Sequence, residues 1–245
     1  MHSRYFIEVA YKGTAYAGFQ RQENANTIQA EVERALKIYF REAFELTGSS
    51  RTDAGVHAFQ NFFHLDLTAA DPEKIAASVY HLNAILPADI VIRSIQLKAA
   101  DAHCRFDALY RSYAYTLYAE KNPFLADRAF FYPYPLDQEV MQTAADMVMR
   151  HNDFAAFSKK NTQAQTTICD IMKSRWTAEN GCLVYHVKGN RFLRGMVRGL
   201  VGTMLRVGRG KISLEAFEQI IINGDMQQVD FSTPAHGLTL MEVGF

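Results

Sequence analysis

Alternating apolar segments, separated by helical patterns, constrain the fold of this chain more than any other feature. Every second residue from Tyr5 to Tyr11 is apolar or aromatic, which predicts a strand with one buried face. The first helix is predicted to begin after Asn26 or Thr27, and the second after Asp71, because these residues favour helix N-termini. The other elements predicted in the first half are strands at 42–50, 57–67 and 90–97 and helices at 28–40 and 72–82.

The second half repeats this organisation. Asn180-Gly181 lies between two strand patterns and is typical of a β-hairpin turn. Hairpins beside helices predict an α+β fold with a mostly antiparallel sheet, flanking helices, and two similar halves, 1–104 and 105–245, around a central cleft. The elements predicted here are strands at 113–117, 168–177, 183–189 and 238–243 and helices at 138–148, 191–207 and 214–223.

Composition excludes several classes of protein. The 245 residues are 49% apolar and 21% charged, as in an ordinary globular protein, and the formal net charge of zero argues against a generic polyanion binder. Cys104, Cys169 and Cys182 are widely spaced, which argues against a disulfide framework or a zinc site and fits a reducing cytoplasm. Neither a secretory leader nor an apolar run of about 20 residues is present, so no membrane association is expected.

Known cofactor motifs are also missing from the sequence. The eight histidines show no metal-ligand spacing such as His-Glu-x-x-His. There is no phosphate-binding P-loop and no dinucleotide glycine fingerprint. A reaction that needs neither a metal nor a nucleotide cofactor is therefore expected.

Residues 49–58, which read Ser-Ser-Arg-Thr-Asp-Ala-Gly-Val-His-Ala, carry the strongest chemical signal. The sequence Asp-Ala-Gly favours a tight turn between two strands, so Asp53 is expected at a strand end. Arg51 is expected to keep Asp53 ionised, and an ionised carboxylate in a cleft can act as a nucleophile. His57 is expected to brace the turn. The alternative is a surface turn in which Asp53 accepts hydrogen bonds from backbone N–H groups.

The segment from Lys188 to Lys211 contains seven lysines and arginines and no acidic residue. A concentrated basic surface on a neutral chain predicts contact with phosphate groups. Arg191, Arg194 and Arg198 are spaced to share one face of the predicted helix. The alternative is a solvated helix face whose charge is balanced by acids elsewhere in the fold.

Residues 111–115, Arg-Ser-Tyr-Ala-Tyr, form an alternating strand pattern that places Arg111, Tyr113 and Tyr115 on one face. A tyrosine ring can stack on a nucleobase while its hydroxyl forms a hydrogen bond. The alternative is that these tyrosines pack in the core.

The run at 49–58 resembles the signature of the tRNA pseudouridine synthase A (TruA) family, Gly-Arg-Thr-Asp-Ala-Gly-Val-His-Ala. This chain departs from that signature at Ser50, where the family usually has glycine. The resemblance maps the family's catalytic aspartate onto Asp53. It maps the tyrosine of an Arg-x-Tyr-x-Tyr stretch onto Tyr113, and the arginine of a Met-Val-Arg stretch onto Arg198.

Further matches follow in the same order along nearly the whole chain. Lys12 and Phe19 depart from the family's opening Tyr-Asp-Gly and Gly-Trp-Gln stretches. The matching stretches are Tyr11–Gly13, Gly18–Gln22, Asn83–Ile90, Ala102–Phe106 and Pro234–Leu238.

The resemblance implies isomerisation of uridine to pseudouridine in the anticodon stem-loop of tRNA, at positions 38 to 40, by a cytoplasmic homodimer without a cofactor. It implies that Asp53 attacks C1′ of the ribose or C6 of the uracil, and that Arg198 holds Asp53 ionised. Tyr113 is expected to stack on the flipped base. The residues expected to contact RNA are Arg51, Arg111, Arg191 and Arg194.

Two alternatives belong to other functional classes. The first is an RNA-binding or RNA-folding protein that keeps the fold without the chemistry. The second is a small-molecule enzyme that uses Asp53 as a nucleophile, which leaves the basic segment from Lys188 to Lys211 without a role.

Overall fold

The computed structural model of the protein describes residues 2–68, 71–159 and 165–245, and the chain divides into two compact units. The first unit runs to Leu109 and includes Thr239–Phe245, and the second is Tyr110–Leu238. The structural boundary thus lies five residues beyond the predicted start of the second half, and the last strand belongs largely to the first unit. The functional division into 1–104 and 105–245 stays a prediction.

The first unit is built on the strand predicted near the N-terminus. This strand pairs in antiparallel fashion with two others, and Ile7 lies opposite Phe63 on one side and Ile95 on the other. The described elements of the unit are β1 His2–Tyr11, α1 Ile28–Phe40, β2 Thr47–Gly48, β3 His57–Thr68, α2 Pro72–Ile85, β4 Ile90–Lys98 and β9 Leu238–Gly244.

Both helices of the first unit begin where the sequence predicts. The side chain of Thr27 accepts a hydrogen bond from the Ala30 amide at 3.3 Å, and Asp71 caps α2 in the same way. The apolar stripe of α1 is buried at Ile28, Val32, Ala35 and Leu36, whereas Tyr39 near its end is exposed. The alternate residues of β1 are also buried, and each large apolar side chain contributes about 1.5–3 kcal/mol. The periodicity of the sequence therefore predicts this core.

The predicted strand at 42–50 is mostly wrong. Of these residues only Thr47 and Gly48 form β2, which pairs with β3. The N–H of Ser49 still donates to the carbonyl of Phe62 on β3 at 2.8 Å. At Ser50 the side chain of Asn61 takes the place of a strand partner by donating to the Ser50 carbonyl at 3.1 Å. A side chain on β3 thus ends the strand and starts the turn that carries Asp53.

The predicted buried face of β3 is correct at Phe63, Leu65 and Leu67, but Phe59 is exposed. In the pairing with β1, Val9 lies opposite Asn61 and Tyr11 lies opposite Ala58, so β3 contains one extra residue. Such a bulge moves every residue before it to the other face of the sheet. Ala58 is therefore buried in place of Phe59.

The second unit has its own antiparallel strands. The Asn180-Gly181 turn joins β7 to β8 as predicted, and both turn residues have positive φ, at 50° and 76°. The strand order is β5-β8-β7, and β6 pairs with β5 in parallel. The elements are β5 Tyr110–Tyr118, β6 Phe130–Phe131, α3 Gln138–Val148, β7 Ile171–Glu179, β8 Cys182–Gly189, α4 Met196–Gly208 and α5 Leu214–Asn223.

Helices flank these strands. The side chains of Asp137 and Ser213 cap α3 and α5 as predicted, and α5 ends at Gly224, where φ is 66°. α3 packs against β7 and against α4. The α+β class and the mostly antiparallel strand pairing are thereby confirmed, with β3/β9 and β5/β6 as the parallel pairs. Within the described residues, no helix combines the length and apolar character needed to span a membrane.

A buried histidine on β3 makes the first unit sensitive to pH. Nδ1 of His64 accepts a hydrogen bond from the backbone N–H of Cys104 at 3.3 Å. Burial lowers the pKa of His64 to about 4, and the positive charges of Arg4 and His103 act in the same direction, against the opposing charge of Asp66. The folded protein therefore keeps this ring neutral.

We expect the free energy of unfolding to fall as the pH falls from 6.5 to about 4, because the unfolded chain binds a proton at His64 that the folded protein excludes. The contribution is at most about 1.4 kcal/mol per pH unit. Urea unfolding at a series of pH values measures it, and His64→Gln should remove this component. His81→Gln, at an exposed histidine, is the control and should leave it intact. An unchanged slope in His64→Gln would exclude His64 as the cause.

Candidate active site

Asp53 lies in a tight turn between β2 and β3. The turn is closed by a hydrogen bond from the N–H of Val56 to the carbonyl of Asp53, at 3.2 Å. Gly55 adopts φ of 80°, which other residues adopt only with strain, and its N–H donates to the carbonyl of Tyr16 at 3.3 Å. The turn thus holds Asp53, which is half-buried, in one backbone conformation.

A buried polar network fixes the segment before Asp53. The side chain of Asn61, which has no exposed area, donates from Nδ2 to the carbonyl of Ser50 and to the Tyr11 hydroxyl, both at 3.1 Å. The Tyr11 hydroxyl bonds to Thr52 Oγ1 at 2.7 Å. The Ser49 hydroxyl donates to Asn61 Oδ1 at 2.7 Å. Ser49, Ser50 and Thr52 are therefore attached to residues of β1 and β3.

Two glycines allow the backbone after β1 to approach the same loop. A Cβ atom at Gly13 would overlap the carbonyl oxygen of Val56. Gly18 has φ of 114°, and a Cβ atom there would lie 3.1 Å from the carbonyl oxygen of Thr52. Both glycines lie in the stretches that resemble the family's opening motifs, so those motifs serve to shape the loop that carries Asp53.

His57 braces the turn, as predicted. Its side chain is buried, and its Nδ1 accepts a hydrogen bond from the N–H of Gly13 at 3.0 Å. An imidazole nitrogen that accepts a hydrogen bond carries no proton. His57 therefore ties the start of β3 to the segment that follows β1.

The departures from the family signature lie within packed regions. Phe19 is buried, and its ring stacks on that of Phe63 with centroids 4.3 Å apart. The N–H of Phe19 also donates to the carbonyl of Thr52 at 3.1 Å. Ser50 is mostly buried beside the network, and the N–H of Lys12 donates to the carbonyl of Asp89 at 2.9 Å. Phe19 therefore supports the loop directly, whereas the contact of Lys12 is with the segment before β4.

Arg51 is exposed, whereas Thr52 beside it is buried. The expectation that Arg51 keeps Asp53 ionised by the attraction of opposite charges stays a prediction. The exposed position of Arg51 fits contact with phosphate groups.

In the second unit, Tyr113 lies on β5 opposite Val187 of β8. Its side chain is half-buried and meets the ring of Phe192 edge-on, with centroids 5.1 Å apart. An edge-on neighbour fixes the plane of the tyrosine ring. Arg111, two residues earlier on the same strand, donates from Nη1 to the carbonyl of Asn190 at 3.2 Å.

Arg198 lies in the first turn of α4, and two hydrogen bonds tie it to Thr233. Its Nε donates to the carbonyl of Thr233 at 2.8 Å, and the Thr233 hydroxyl donates to the carbonyl of Arg198 at 3.0 Å. In the described part of this unit, the two terminal nitrogens of Arg198 donate to no protein acceptor. They form a fork that can bind a carboxylate or a phosphate through two parallel hydrogen bonds.

A fully buried tyrosine, Tyr115, holds the segment Pro234–Leu238, which follows the Thr233 partner of Arg198. The hydroxyl of Tyr115 donates to the carbonyl of Pro234 at 2.7 Å. Burial raises the pKa of Tyr115 above its usual value, against the opposing effects of Thr233 and of the charge on Arg198, so the hydroxyl stays protonated. A Cβ atom at Gly237 would lie 2.6 Å from the Tyr115 ring, which explains the glycine at this position.

The prediction that Arg191, Arg194 and Arg198 share one helix face is wrong. α4 begins at Met196, and the N-cap residue Gly195 has φ of 78°, which interrupts the helical backbone before it. Arg191 and Arg194 therefore lie in the segment between β8 and α4, the first half-buried and the second exposed.

The predicted basic segment is not one continuous surface. Arg206 donates to the carbonyl of Gln228 at 2.7 Å, and the Arg209 guanidinium lies 4.2 Å from the ring centroid of Tyr134. Arg206 is eight residues beyond Arg198 on α4, or about 12 Å along the axis. The arginines at the start of α4 are thus separate from Arg206 and Arg209, which form contacts at its other end.

Comparison with known proteins identifies the relatives of the chain. A family model described as tRNA pseudouridine synthase matches residues 7–107 and 144–245. The protein named tRNA pseudouridine synthase A in Porphyromonas gingivalis is 42% identical over 243 residues, covering 98% of this chain and 96% of that protein. Proteins of the same name are 40% identical in Bacteroides fragilis and 35% identical in Staphylococcus saprophyticus, over 99% and 98% of this chain and 96% and 90% of theirs.

This chain belongs to the tRNA pseudouridine synthase A family. The family model matches one segment in each half of the chain, in agreement with the prediction of two similar halves. The roles that the family resemblance assigns to individual residues stay predictions. Sequence reasoning missed Asn61, although a polar residue on the buried face of an otherwise apolar strand is a signal that could have found it. Across residues 2–68, 71–159 and 165–245, no cluster of carboxylate, imidazole or thiol groups is arranged to bind a metal ion.

Removal of the Tyr11 hydroxyl tests the hydrogen-bond network that holds the loop carrying Asp53. We expect Tyr11→Phe to lower the free energy of unfolding by about 1–3 kcal/mol, because it leaves buried polar groups of Asn61 and Thr52 without this partner. Amide hydrogen exchange should become faster at residues 50–56.

Tyr185→Phe is the matched control, because it removes a buried tyrosine hydroxyl that bonds to Ser174 at 2.7 Å in the second unit. It should cost a similar free energy of unfolding while exchange at residues 50–56 stays unchanged. If both variants left exchange in the loop unchanged, Tyr11 would not be what holds it.

Proposed function

We propose that this chain isomerises uridine to pseudouridine in the anticodon stem-loop of tRNA, at positions 38 to 40. Membership of the tRNA pseudouridine synthase A family supports the reaction. The observation that carries the assignment to this chain is the loop at 49–56, in which Asn61 and Tyr11 hold Ser50 and Thr52, the residues before the half-buried Asp53. A carboxylate on a preorganised backbone of this kind suits a nucleophile.

In the proposed reaction the N1–C1′ bond of uridine breaks and a C5–C1′ bond forms. Asp53 attacks either C1′ of the ribose or C6 of the uracil, and it is released when the new bond is complete. The proton at C5 leaves, and N1 gains a proton. Substrate and product have the same composition, so the balance requires no oxidant, reductant or cofactor.

Tyr113 is proposed to stack on the uracil after the base leaves the RNA helix. Its ring is half-buried and is held edge-on by Phe192, so one surface of the ring is fixed by the protein. Extrusion of a base costs a few kcal/mol, and a loosely stacked nucleotide in a loop or at its closing pairs is an easier target. The hydroxyl of Tyr113 is also proposed to help remove the C5 proton.

Arg198 is proposed to hold Asp53 ionised during the reaction. Its Nε is engaged by Thr233, which leaves the terminal nitrogens for a carboxylate. Such a charge-assisted pair is roughly twice as strong as a neutral hydrogen bond. Arg51, Arg111, Arg191 and Arg194 are proposed to bind the RNA backbone. We further propose a cytoplasmic homodimer, in which basic residues of both subunits contact one tRNA.

The first prediction concerns the nucleophile. Asp53→Asn should abolish release of tritium from [5-³H]uridine-labelled tRNA, because the amide retains the shape of the carboxylate but not its nucleophilicity. The wild-type protein should release tritium under the same conditions.

The other outcomes separate the competing functions. Equal release by both proteins would exclude Asp53 as the nucleophile. Binding of tRNA without release by either protein would favour an RNA-binding protein without catalytic activity. Turnover of a small molecule by wild type, with no affinity for tRNA, would favour the small-molecule enzyme.

The second prediction concerns salt. Release of tritium and affinity for tRNA should both fall as the salt concentration increases. In Arg194→Ala, the slope of log tRNA affinity against log salt concentration should be shallower by about 0.7–0.9, the effect of one phosphate contact. Arg128→Ala, at an exposed arginine paired with Asp127, is the control and should retain the wild-type slope. Identical slopes in all three proteins would remove Arg194 from the RNA-binding surface.

A further inference from the structure

A groove of about 490 Å³ lies in the first unit beside the loop that carries Asp53. Phe19 and Arg51 form part of its wall. Phe19 is attached to the loop, since its N–H donates to the carbonyl of Thr52 at 3.1 Å. Arg51 is two residues from Asp53, and two residues of chain span at most about 7 Å. A ligand in this groove would therefore lie next to whatever occupies the site of Asp53.

The most exposed aromatic side chain of this groove is Phe106, of which 75% is accessible. Its position is nevertheless fixed. The N–H of Phe106 donates to the carbonyl of His103 at 3.1 Å, and the two rings lie with centroids 4.2 Å apart. The Asp107 carboxylate accepts from the N–H of His103 at 2.7 Å, and His103 Nδ1 accepts from the N–H of Arg105 at 3.1 Å.

A solvent-exposed phenyl ring contributes little to folding, because its apolar surface stays in water. On a hydrogen-bonded turn it offers a flat surface that a ligand can cover with less loss of conformational freedom. The hydrogen-bonded turn at 103–107 therefore has the properties of a binding platform.

The charged groups around this ring favour an anionic ligand. Arg51 and Arg105 line the groove, and the Arg105 guanidinium lies 5.7 Å from the ring centroid of Phe106. Arg21 also lines it and is paired with Glu33 at 2.7 Å, so those two charges balance. Glu45 is the remaining acid of the lining, and the cations exceed the acids by one.

We propose that Phe106 stacks on an unpaired base of the tRNA that neighbours the target uridine, while Arg51 and Arg105 contact its phosphates. Unpaired RNA bases bind to proteins by stacking on aromatic rings and arginine planes, and the base of a paired nucleotide is covered by its neighbours. An acidic peptide would satisfy the arginines but would leave the ring uncovered. This inference rests on the proposed function and adds a binding residue outside the reacting set.

The experiment measures tRNA affinity in the unreactive Asp53→Asn background. Phe106→Ala should raise the dissociation constant by about 10-fold, the typical effect of losing one base–aromatic stack. Phe106→Trp should restore wild-type affinity, since a larger ring can also stack. Phe124→Ala, at a phenylalanine of the second unit that is 81% exposed, is the control and should change nothing.

A scan of abasic sites identifies the stacked nucleotide. Each tRNA in the scan lacks one base near the target uridine. If Phe106 is present, one of these tRNAs should bind about 10-fold more weakly than the intact tRNA. Phe106→Ala should bind that abasic tRNA and the intact tRNA with equal affinity, because the stacking contact is already lost. If the loss of affinity from every abasic site added to the loss from Phe106→Ala, the stacking assignment would be overturned. Undiminished tRNA binding by Phe106→Ala would also overturn it and leave a protein partner as the occupant.

Tritium release separates this inference from the proposed function. If wild type releases tritium and Phe106→Ala binds tRNA normally, the inference fails and the function stands. The opposite result is that wild type releases no tritium, while Phe106→Ala weakens tRNA binding and Phe106→Trp restores it. In that case the proposed function fails and the binding surface stands. Circular dichroism of each variant should match wild type, because Phe106 is exposed.

Discussion

The buried amide of Asn61 is the contact on which the first unit's functional loop depends. This side chain has no access to water, so every polar atom it carries needs a protein partner. It finds them in Ser49, Ser50 and Tyr11, and Tyr11 in turn holds Thr52. Because each group would be costly to leave without a partner, these contacts favour one conformation of the loop.

The second unit solves the same problem with different chemistry. There, Arg198 is held by the backbone and hydroxyl of Thr233, and the adjacent carbonyl of Pro234 is held by the buried hydroxyl of Tyr115. Both units therefore hold the residues assigned to catalysis through buried hydroxyl groups of tyrosine and threonine. Side chains with few rotatable bonds lose little entropy when they are fixed in this way.

Local sequence patterns predicted most of the elements because those patterns express local physics. The caps at Thr27 and Ser213 and the hairpin at Asn180-Gly181 depend on residues within a few positions of each other. The failures depend on contacts between residues distant in sequence or on backbone φ. Asn61 ends β2 from another strand, and the positive φ of Gly195 delays α4 beyond its apolar pattern.

The candidate site shows the same limit. The types of residue in the run at 49–58 were enough to select Asp53, but the sequence gives no account of how the loop is supported. The bulge in β3 lies between Ala58 and Asn61, and it sets which residues of that strand face the core. A one-residue insertion has no signature in a pattern of alternation, so the exposed Phe59 could not be predicted.

The return of the last strand to the first unit has a consequence for biosynthesis. His57 pairs in parallel with Thr239, a partner that the ribosome adds 182 residues later. The sheet beneath the loop of Asp53 cannot be completed until the second unit has been made, and contacts of such long sequence separation form slowly. During most of its synthesis the nascent chain therefore lacks the β9 partner of His57 and Ala58, and backbone groups left unpaired in this way make aggregation a competitor of folding.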